Sequence, residues 1–297
     1  MISICIPVFN FNITSLHNRL MAQMNEVKKD SCDIIVIDDH SEEEFRKVNR
    51  EICKDNVYVE LEKNKGRSGI RNMFSGLSSK KYLLFIDCDS IVENPLFLKK
   101  YLGCIEQAPQ VVCGGSIYTK DPPERERMLR WKYGTSRESK PADIRIKDPY
   151  RSFMANNFLI ERDISGKIRF DERLKGYGYE DTLFSYSLRK AGVRIEHIDN
   201  PVVNGGLETN ADYLARTDEA MSNLVEMMRS GNYNDEITEY ISLLAFYKKV
   251  KKYEKSISFA FSLFRPAIVN MLSRGYVNLR LYDFYKLGTF NHLLLIP

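Results

Sequence analysis

Twice within the first ninety residues an unbroken apolar run stops abruptly on acids. Asp33-Ile34-Ile35-Val36-Ile37 ends in Asp38-Asp39-His40-Ser41, and Tyr82-Leu83-Leu84-Phe85-Ile86 ends in Asp87-Cys88-Asp89-Ser90. Runs this short and this uniformly apolar read as strands buried on both faces. A third, Ile2-Ser3-Ile4-Cys5-Ile6-Pro7-Val8, opens the chain and gives way to Phe9-Asn10. Between the strands, Leu16, Leu20, Met24 and Val27 recur at helical spacing over residues 14–29, a second helix is expected over 42–54, and a short strand at 57–59. This β-α-β-α-β alternation predicts an α/β fold with a mostly parallel sheet flanked by helices. Carboxyl ends of parallel strands open onto the ligand crevice of such a sheet, so acids placed there are positioned for chemistry.

Asp87 and Asp89 suit a divalent cation. Mg²⁺ and Mn²⁺ prefer oxygen ligands and are usually held by one or two carboxylates, with phosphate oxygens completing the shell. The competing reading is a plain Asp/Ser turn after a buried strand, and a bare D-x-D cannot decide between them. The stretch Asn64-Lys65-Gly66-Arg67-Ser68-Gly69-Ile70-Arg71-Asn72 lacks both the G-x-G-x-x-G and the P-loop spacing, yet Lys65, Arg67 and Arg71 offer positive charge near a phosphate.

Composition narrows the function further. Lys+Arg of 44 against Asp+Glu of 40 leaves a net charge of +4, which argues against a nucleic-acid partner. The six cysteines all fall within the first 113 residues with no C-x-x-C or zinc spacing, and read as free thiols of a reducing compartment. No basic segment followed by an apolar run opens the chain, and no stretch approaches the roughly 20 apolar residues of a membrane span. The expectation is a soluble, cytoplasmic protein.

Further along, a helix is expected over 96–105 and strands at 111–118, 153–160 and 193–198. From 120 to 150 the pattern breaks down among four prolines and dense charge, which predicts a mobile loop over the crevice. Its Trp131 and Tyr133 are candidate sugar-stacking surfaces or simply an apolar anchor for the loop. A second concentrated signal is Gly176-Tyr177-Gly178-Tyr179-Glu180-Asp181, where two glycines permit a tight backbone path into a helix opened by two acids. Acids in a first helical turn also serve capping alone.

Taken together these blocks resemble family-2 glycosyltransferases, inverting nucleotide-sugar enzymes of the GT-A fold. Ile6 to Asn10 resembles that family's opening nucleotide-pocket strand, Val36 to Ser41 its V-D-D-x-S element, Asn64 to Asn72 its N-x-G-x-x-x-x-R-N segment, Asp87-Cys88-Asp89 its D-x-D, and Gly176 to Asp181 its G-x-G-x-E-D element. The resemblance covers about residues 1–205. It implies a catalytic domain over 1–206, with a nucleotide-sugar half at 1–118 and an acceptor half at 150–206, followed by a helical extension over 207–297.

By the same resemblance Asp39 contacts the base, uracil for preference, in a pocket lined by Pro7 and Phe9, and Arg71 approaches the pyrophosphate. Asp89 binds Mn²⁺ or Mg²⁺, Asp87 contacts ribose or metal-bound phosphate, Asp181 is the general base and Glu180 its acceptor-binding neighbour. Relatives carry a histidine at the position of Asn204 as a further metal ligand. Here the amide of Asn204 stands in that place, with His197 as the nearest alternative. The implied reaction moves a hexose or N-acetylhexosamine from a UDP-sugar to a saccharide, or lipid-linked saccharide, in bacterial surface polysaccharide or other glycan synthesis. A sugar-phosphate nucleotidyltransferase would show a Gly-rich loop after the first strand, and Pro7-Val8-Phe9-Asn10 is not one. A non-catalytic nucleotide- or glycan-binding descendant is the remaining alternative.

Residues 209–230 and 235–272 are expected to be helical. The latter carries Lys248, Lys249, Lys251, Lys252 and Lys255, and a tyrosine-rich apolar tail follows. A basic amphipathic helix of this kind suits peripheral contact with the inner face of an anionic membrane, or else a solvated face packed on the catalytic domain.

Overall fold

The computed structural model describes residues 1–174, 176–231 and 235–296. Lys175 of the glycine-rich stretch and Pro297 of the tail lie outside the described residues. In chain order the elements are β1 (Ile2–Val8), α1 (Thr14–Asn25), β2 (Cys32–Asp38), α2 (Glu43–Ile52), β3 (Val57–Glu60), α3 (Gly66–Leu77), β4 (Tyr82–Ile86), β5 (Ser90–Ile91) and α4 (Phe97–Cys104). There follow β6 (Val111–Cys113), β7 (Ser116–Ile117), α5 (Met128–Tyr133), α6 (Ala142–Arg145), β8 (Asn157–Glu161), α7 (Arg162–Lys167), α8 (Glu180–Lys190), β9 (Ile195–His197) and β10 (Val202–Asn204). The chain closes with α9 (Asn210–Ser230), α10 (Asp235–Tyr240), α11 (Ser242–Val250), α12 (Glu254–Ser273) and α13 (Leu279–Leu295).

Two compact units arise. The first comprises Met1–Thr119, Glu138–Arg173 and Leu183–Gly206, and the second Lys120–Arg137, Leu174–Thr182 and Leu207–Pro297. In the first unit a seven-stranded sheet runs in the order β3-β2-β1-β4-β8-β6-β9. Strands β1, β2, β3 and β4 are mutually parallel, β8 runs antiparallel between β4 and β6, and β9 is parallel to β6. The sheet is apolar on both faces because its strands alternate buried side chains to either side. Ile2, Ile4, Ile6 and Val8 face a cluster with Leu16, Leu20, Phe97 and Tyr101, while Cys5, Ile35, Leu83 and Phe85 face one built on Phe74, Phe158 and Phe184. All six cysteines are free thiols.

One expected strand is broken for a steric reason. The run 111–118 splits into β6 and β7 at Gly114-Gly115, where a Cβ on Gly114 would overlap Asn157 and Tyr101, and where Gly115 has φ +90° against the Arg145 guanidinium. Strand β7 leaves for a small sheet of order β5-β10-β7. Likewise the run expected from Phe153 becomes strand only at Asn157. The segment 120–150 is not structureless: it holds α5, α6, a 3₁₀ turn at Arg125–Arg127 and a π turn at Gly134–Glu138.

In the second unit helices α5, α9, α12 and α13 share a core of Leu129, Tyr213, Leu214, Phe261, Ile268, Leu272, Tyr282 and Tyr285. Thr209 caps α9 by accepting from Asp212 N, and Asn278 caps α13 by accepting from Arg280 N and Leu281 N. Tyr133 belongs to this core, edge-on to Tyr282 at 5.5 Å, which is the anchor role of its two expected readings. Within Ser242–Ser273 one helical stretch is long and apolar enough to cross a membrane by length and composition, contrary to the sequence expectation, although a 3₁₀ turn at Lys251–Tyr253 divides it.

Candidate active site

In the first unit three neighbouring strands, β2, β1 and β4, end side by side, and the residues just beyond them form one polar cluster. Asp39 N donates to Val8 O at 2.8 Å, which ties the end of β2 to that of β1. Of the two acids after β2, Asp38 is structural: fully buried, it accepts from Ser41 N at 2.7 Å and from the Tyr58 hydroxyl at 3.2 Å. Asp39 is held differently. Its Oδ1 accepts from Lys65 N at 2.6 Å and its Oδ2 from Gly66 N at 2.9 Å, so the two carboxylate oxygens grip the loop that opens α3. Burial pushes this carboxyl above its ordinary range, and the two amides pull the other way. Gly66 takes φ +75° there, a conformation few other residues tolerate.

Asn64 and Asn72 are organisers that sequence reasoning passed over. Asn64 Nδ2 donates to Asp39 O and its Oδ1 accepts from Gly66 N, closing the loop on itself. Asn72 Nδ2 donates to Phe170 O and to Glu172 Oε1, and its Oδ1 accepts from Phe170 N at 2.8 Å. Both lie in the segment whose spacing stood out, so their place in it was the available signal.

Arg71 projects from α3 with its side chain 4% exposed, and its Nη2 lies 2.6 Å from Asp87 Oδ1. Nη1 donates to Arg67 O, and the guanidinium sits 5.7 Å from the Phe170 ring centroid. Here, then, the guanidinium holds the first acid of the D-x-D. Between the two acids, Cys88 is hydrogen-bonded to the Phe9 backbone, and burial pushes its thiol far above the ordinary range with the charges of Asp89 and Asp87 adding to the effect. That thiol ties the D-x-D to the end of β1, where Pro7 lies and the Phe9 ring is exposed.

Asp89 turns toward the small sheet. Its carbonyl accepts from Gly205 N at 3.1 Å, Ser90 pairs with Asn204 across β5 and β10, and its carboxylate lies where a side chain on Gly206 would be. Asn204 Oδ1 is buried with no partner among the described residues. Asn156, whose carbonyl accepts from Asp87 N, also leaves its Oδ1 buried and unpartnered. Orphaned amide oxygens on residues whose backbones pair with the D-x-D segment fit a hard cation that takes oxygen ligands and leaves room for phosphate and water. No group of three or more His, Cys, Asp or Glu side chains among the described residues could hold a metal without such help.

His197 does not supply it. Its Nε2 donates to Pro149 O at 2.9 Å and its Nδ1 accepts from Arg145 Nη1 at 2.7 Å, so both ring nitrogens are occupied. Burial, with the Arg145 charge adding, lowers its pKa to about 4.

Glu180 and Asp181 fall in the second unit, at the start of α8. The backbone before them is tight: Gly176, Gly178 and Tyr179 take φ of +70°, +105° and +71°. A Cβ on Gly178 would stand 2.5 Å from that of Ala220, so only glycine lets this loop lie against α9. Glu180 Oε2 accepts from Gly178 N at 2.9 Å, and Asn223 Nδ2 on α9 donates to Tyr177 O at 3.1 Å. The unit thus fixes the backbone that carries both acids.

A mostly parallel sheet with acids clustered at adjacent strand ends is the arrangement in which open α/β folds bind their ligands. The family model described as glycosyl transferase family 2 matches residues 3–169, more than half of the chain. The protein belongs to this family. Its fold is the GT-A arrangement with a helical C-terminal extension. Among solved structures, S. aureus TarS is similar at a TM-score of 0.55 and 16% identity, over 99% of this chain and 54% of that one. The chain therefore spans about half the length of that TarS chain. Mannosyltransferase PcManGT from Pyrobaculum calidifontis, in complex with GDP-Man and Mn²⁺, gives a TM-score of 0.56 at 12% identity over 99% and 84% of the two chains. Glucosyl-3-phosphoglycerate synthase from Mycobacterium tuberculosis, with Mn²⁺, UDP and glucosyl-3-phosphoglycerate, gives 0.52 at 16% identity over 79% and 81%. These likenesses carry the fold. No curated protein matches in sequence.

Proposed function

We propose that this chain is an inverting, metal-dependent glycosyltransferase that moves a hexose or N-acetylhexosamine from a UDP-sugar to a hydroxyl of a saccharide or lipid-linked saccharide, in the making of a bacterial surface polysaccharide or related glycan. The observation that carries the reading is the grip on Asp39. With one lone pair on each oxygen taken by a backbone N–H, the carboxylate keeps acceptor capacity for the imide N–H of a uracil, between Pro7 and the exposed ring of Phe9. Arg71 fixes Asp87 in one orientation toward the ribose and diphosphate, and contributes positive charge to the pyrophosphate side. A bound Mn²⁺ or Mg²⁺, held by Asp89 with Asp87 and Asn204, would supply charge neutralisation for the departing diphosphate.

Asp181 takes the acceptor hydroxyl's proton as that oxygen attacks the sugar's anomeric carbon. The bond from that carbon to the diphosphate oxygen breaks, UDP leaves, and the configuration inverts. Glu180, steadied by Gly178 N, binds the acceptor beside it. Positioning of the two substrates supplies most of the advantage of such a base.

The test is thermal stabilisation by UDP, GDP and UDP-sugars with and without Mn²⁺. A ligand at a hundred times its Kd should raise the midpoint by about 5 °C. UDP with Mn²⁺ should do so, GDP less, and Asp89→Ala should remove the metal-dependent part. If no nucleotide moves the midpoint, the donor assignment fails.

A further inference from the structure

Helix α12 carries large apolar side chains on two opposite faces. One face packs into the second unit: Phe261, Ile268 and Leu272 are buried, and Phe261 fills the notch left by Gly288 of α13, edge-on to Tyr285 at 5.8 Å. At 100° per residue Phe259 and Leu263 fall opposite, while Phe264 and Met271 lie to one side, between the two faces. These four are 73%, 65%, 55% and 45% exposed. Between Lys255 and Arg274 the only charged residue is Arg265, which is tied to Asp218 at 3.1 Å on the packed side. The remaining cations gather at the helix ends: Lys249, Lys251 and Lys252 are exposed before it, Lys255 in its first turn and Arg274 after it, while Lys248 pairs with Glu239. Beside these lysines Phe246 and Tyr253 are about half exposed and extend the apolar surface.

A contiguous apolar stripe rimmed by charge marks an interaction surface. Only 17% of the most apolar 18-residue window in Ser242–Ser273 is buried, yet α12 cannot be a span, because one face belongs to the unit's core and a lysine-bearing turn interrupts the segment. A protein partner is disfavoured by the lysines, which protein interfaces deplete. Phenyl and leucyl groups at the acyl boundary with lysines at the headgroup level are what an anionic bilayer accommodates. We propose that the outer face of α12 lays the protein on an anionic lipid surface, the helix lying in the plane of the interface for its length of about 30 Å.

Co-sedimentation of the full chain with vesicles tests this, using phosphatidylcholine alone and phosphatidylcholine with about a third phosphatidylglycerol, at low and high salt. The protein should sediment with the anionic vesicles and much less with the neutral ones. Phe259→Ser with Leu263→Ser should lower the partition coefficient about ten-fold or more. Lys251→Gln with Lys252→Gln should lower it about ten-fold at low salt and little at high salt. All four positions are exposed, so both variants should melt with the wild type, which separates lost binding from lost folding. Absence of binding to anionic vesicles at low salt overturns the proposal. So does a dimer that the Phe259/Leu263 variant dissolves while vesicle binding persists, since the face then serves a second copy.

Discussion

The first unit buries hydrocarbon rings such as Phe74, Phe85 and Phe158 and gathers its polar groups at strand ends, whereas the second buries tyrosines and turns phenyl rings outward along α12. A buried tyrosine hydroxyl needs a partner, and two in this unit find one: Tyr282 meets Thr217 at 2.7 Å and Tyr285 donates to Asp218 at 2.6 Å. An apolar residue count therefore does not locate a core. In the first unit hydrophobicity marks the inside, while in the second it also marks a surface that water alone does not suit.

The sharpest division of labour is chemical. If strand ends capture the nucleotide and the first turn of α8 removes the proton, Asp181→Asn should slow transfer by about 10²–10⁴-fold. It should leave UDP-dependent stabilisation intact, whereas Asp89→Ala abolishes the metal-dependent part. A steady-state assay beside a thermal-shift titration reads both, and loss of UDP binding in Asp181→Asn would break the division.

Gly178→Val would bring a β-branched side chain to φ +105° with its Cβ against Ala220. The cost should be about 3 kcal/mol or more, read as a lower urea midpoint of the second unit. A midpoint unchanged from wild type would mean that this loop is not pinned to α9.

Acid should loosen the first unit before the second. His197 has its folded pKa lowered to about 4, so the unfolded chain takes up the proton first. The stability it contributes is complete above about pH 6.5 and is lost as pH falls from there toward 4, by up to about 3 kcal/mol. His197→Gln should flatten that part of the stability profile. In the second unit Tyr179, Tyr282 and Tyr285 are pushed upward by burial and stay neutral through this range. Smallest of all, Tyr282→Phe should cost about 1 kcal/mol, one buried hydroxyl contact, and leave activity near wild type.

Strands β1, β2 and β4 were legible because a strand buried on both faces is written as an uninterrupted apolar run, and the crevice followed because their ends lie side by side. The start of α3 was not, since Gly66 and Gly69 argue against a helix locally and the loop that starts it is gripped by Asp39, more than 25 residues earlier. The split between β6 and β7 depends on Tyr101, Asn157 and Arg145, none of which is near Gly114 in sequence except in the fold. The roles of Asn64, Asn72 and Asn156 are equally hidden, because an amide side chain says nothing of its partner until the backbone it meets is in place. Histidine at 197 looked like a spare ligand until Arg145 and Pro149 were seen to occupy both nitrogens.

The pairing of Ser90 with Asn204 also has a consequence for the order of synthesis. A ribosome adds about 5–20 residues each second, so the D-x-D leaves it many seconds before the strand that carries Asn204. Until then a nascent chain displays Asp87 and Asp89 without β10 beside them. If the proposed cation site is right, newly made protein should acquire its full affinity for Mn²⁺ or Mg²⁺ late, after the small sheet has closed, rather than when the first four strands have folded.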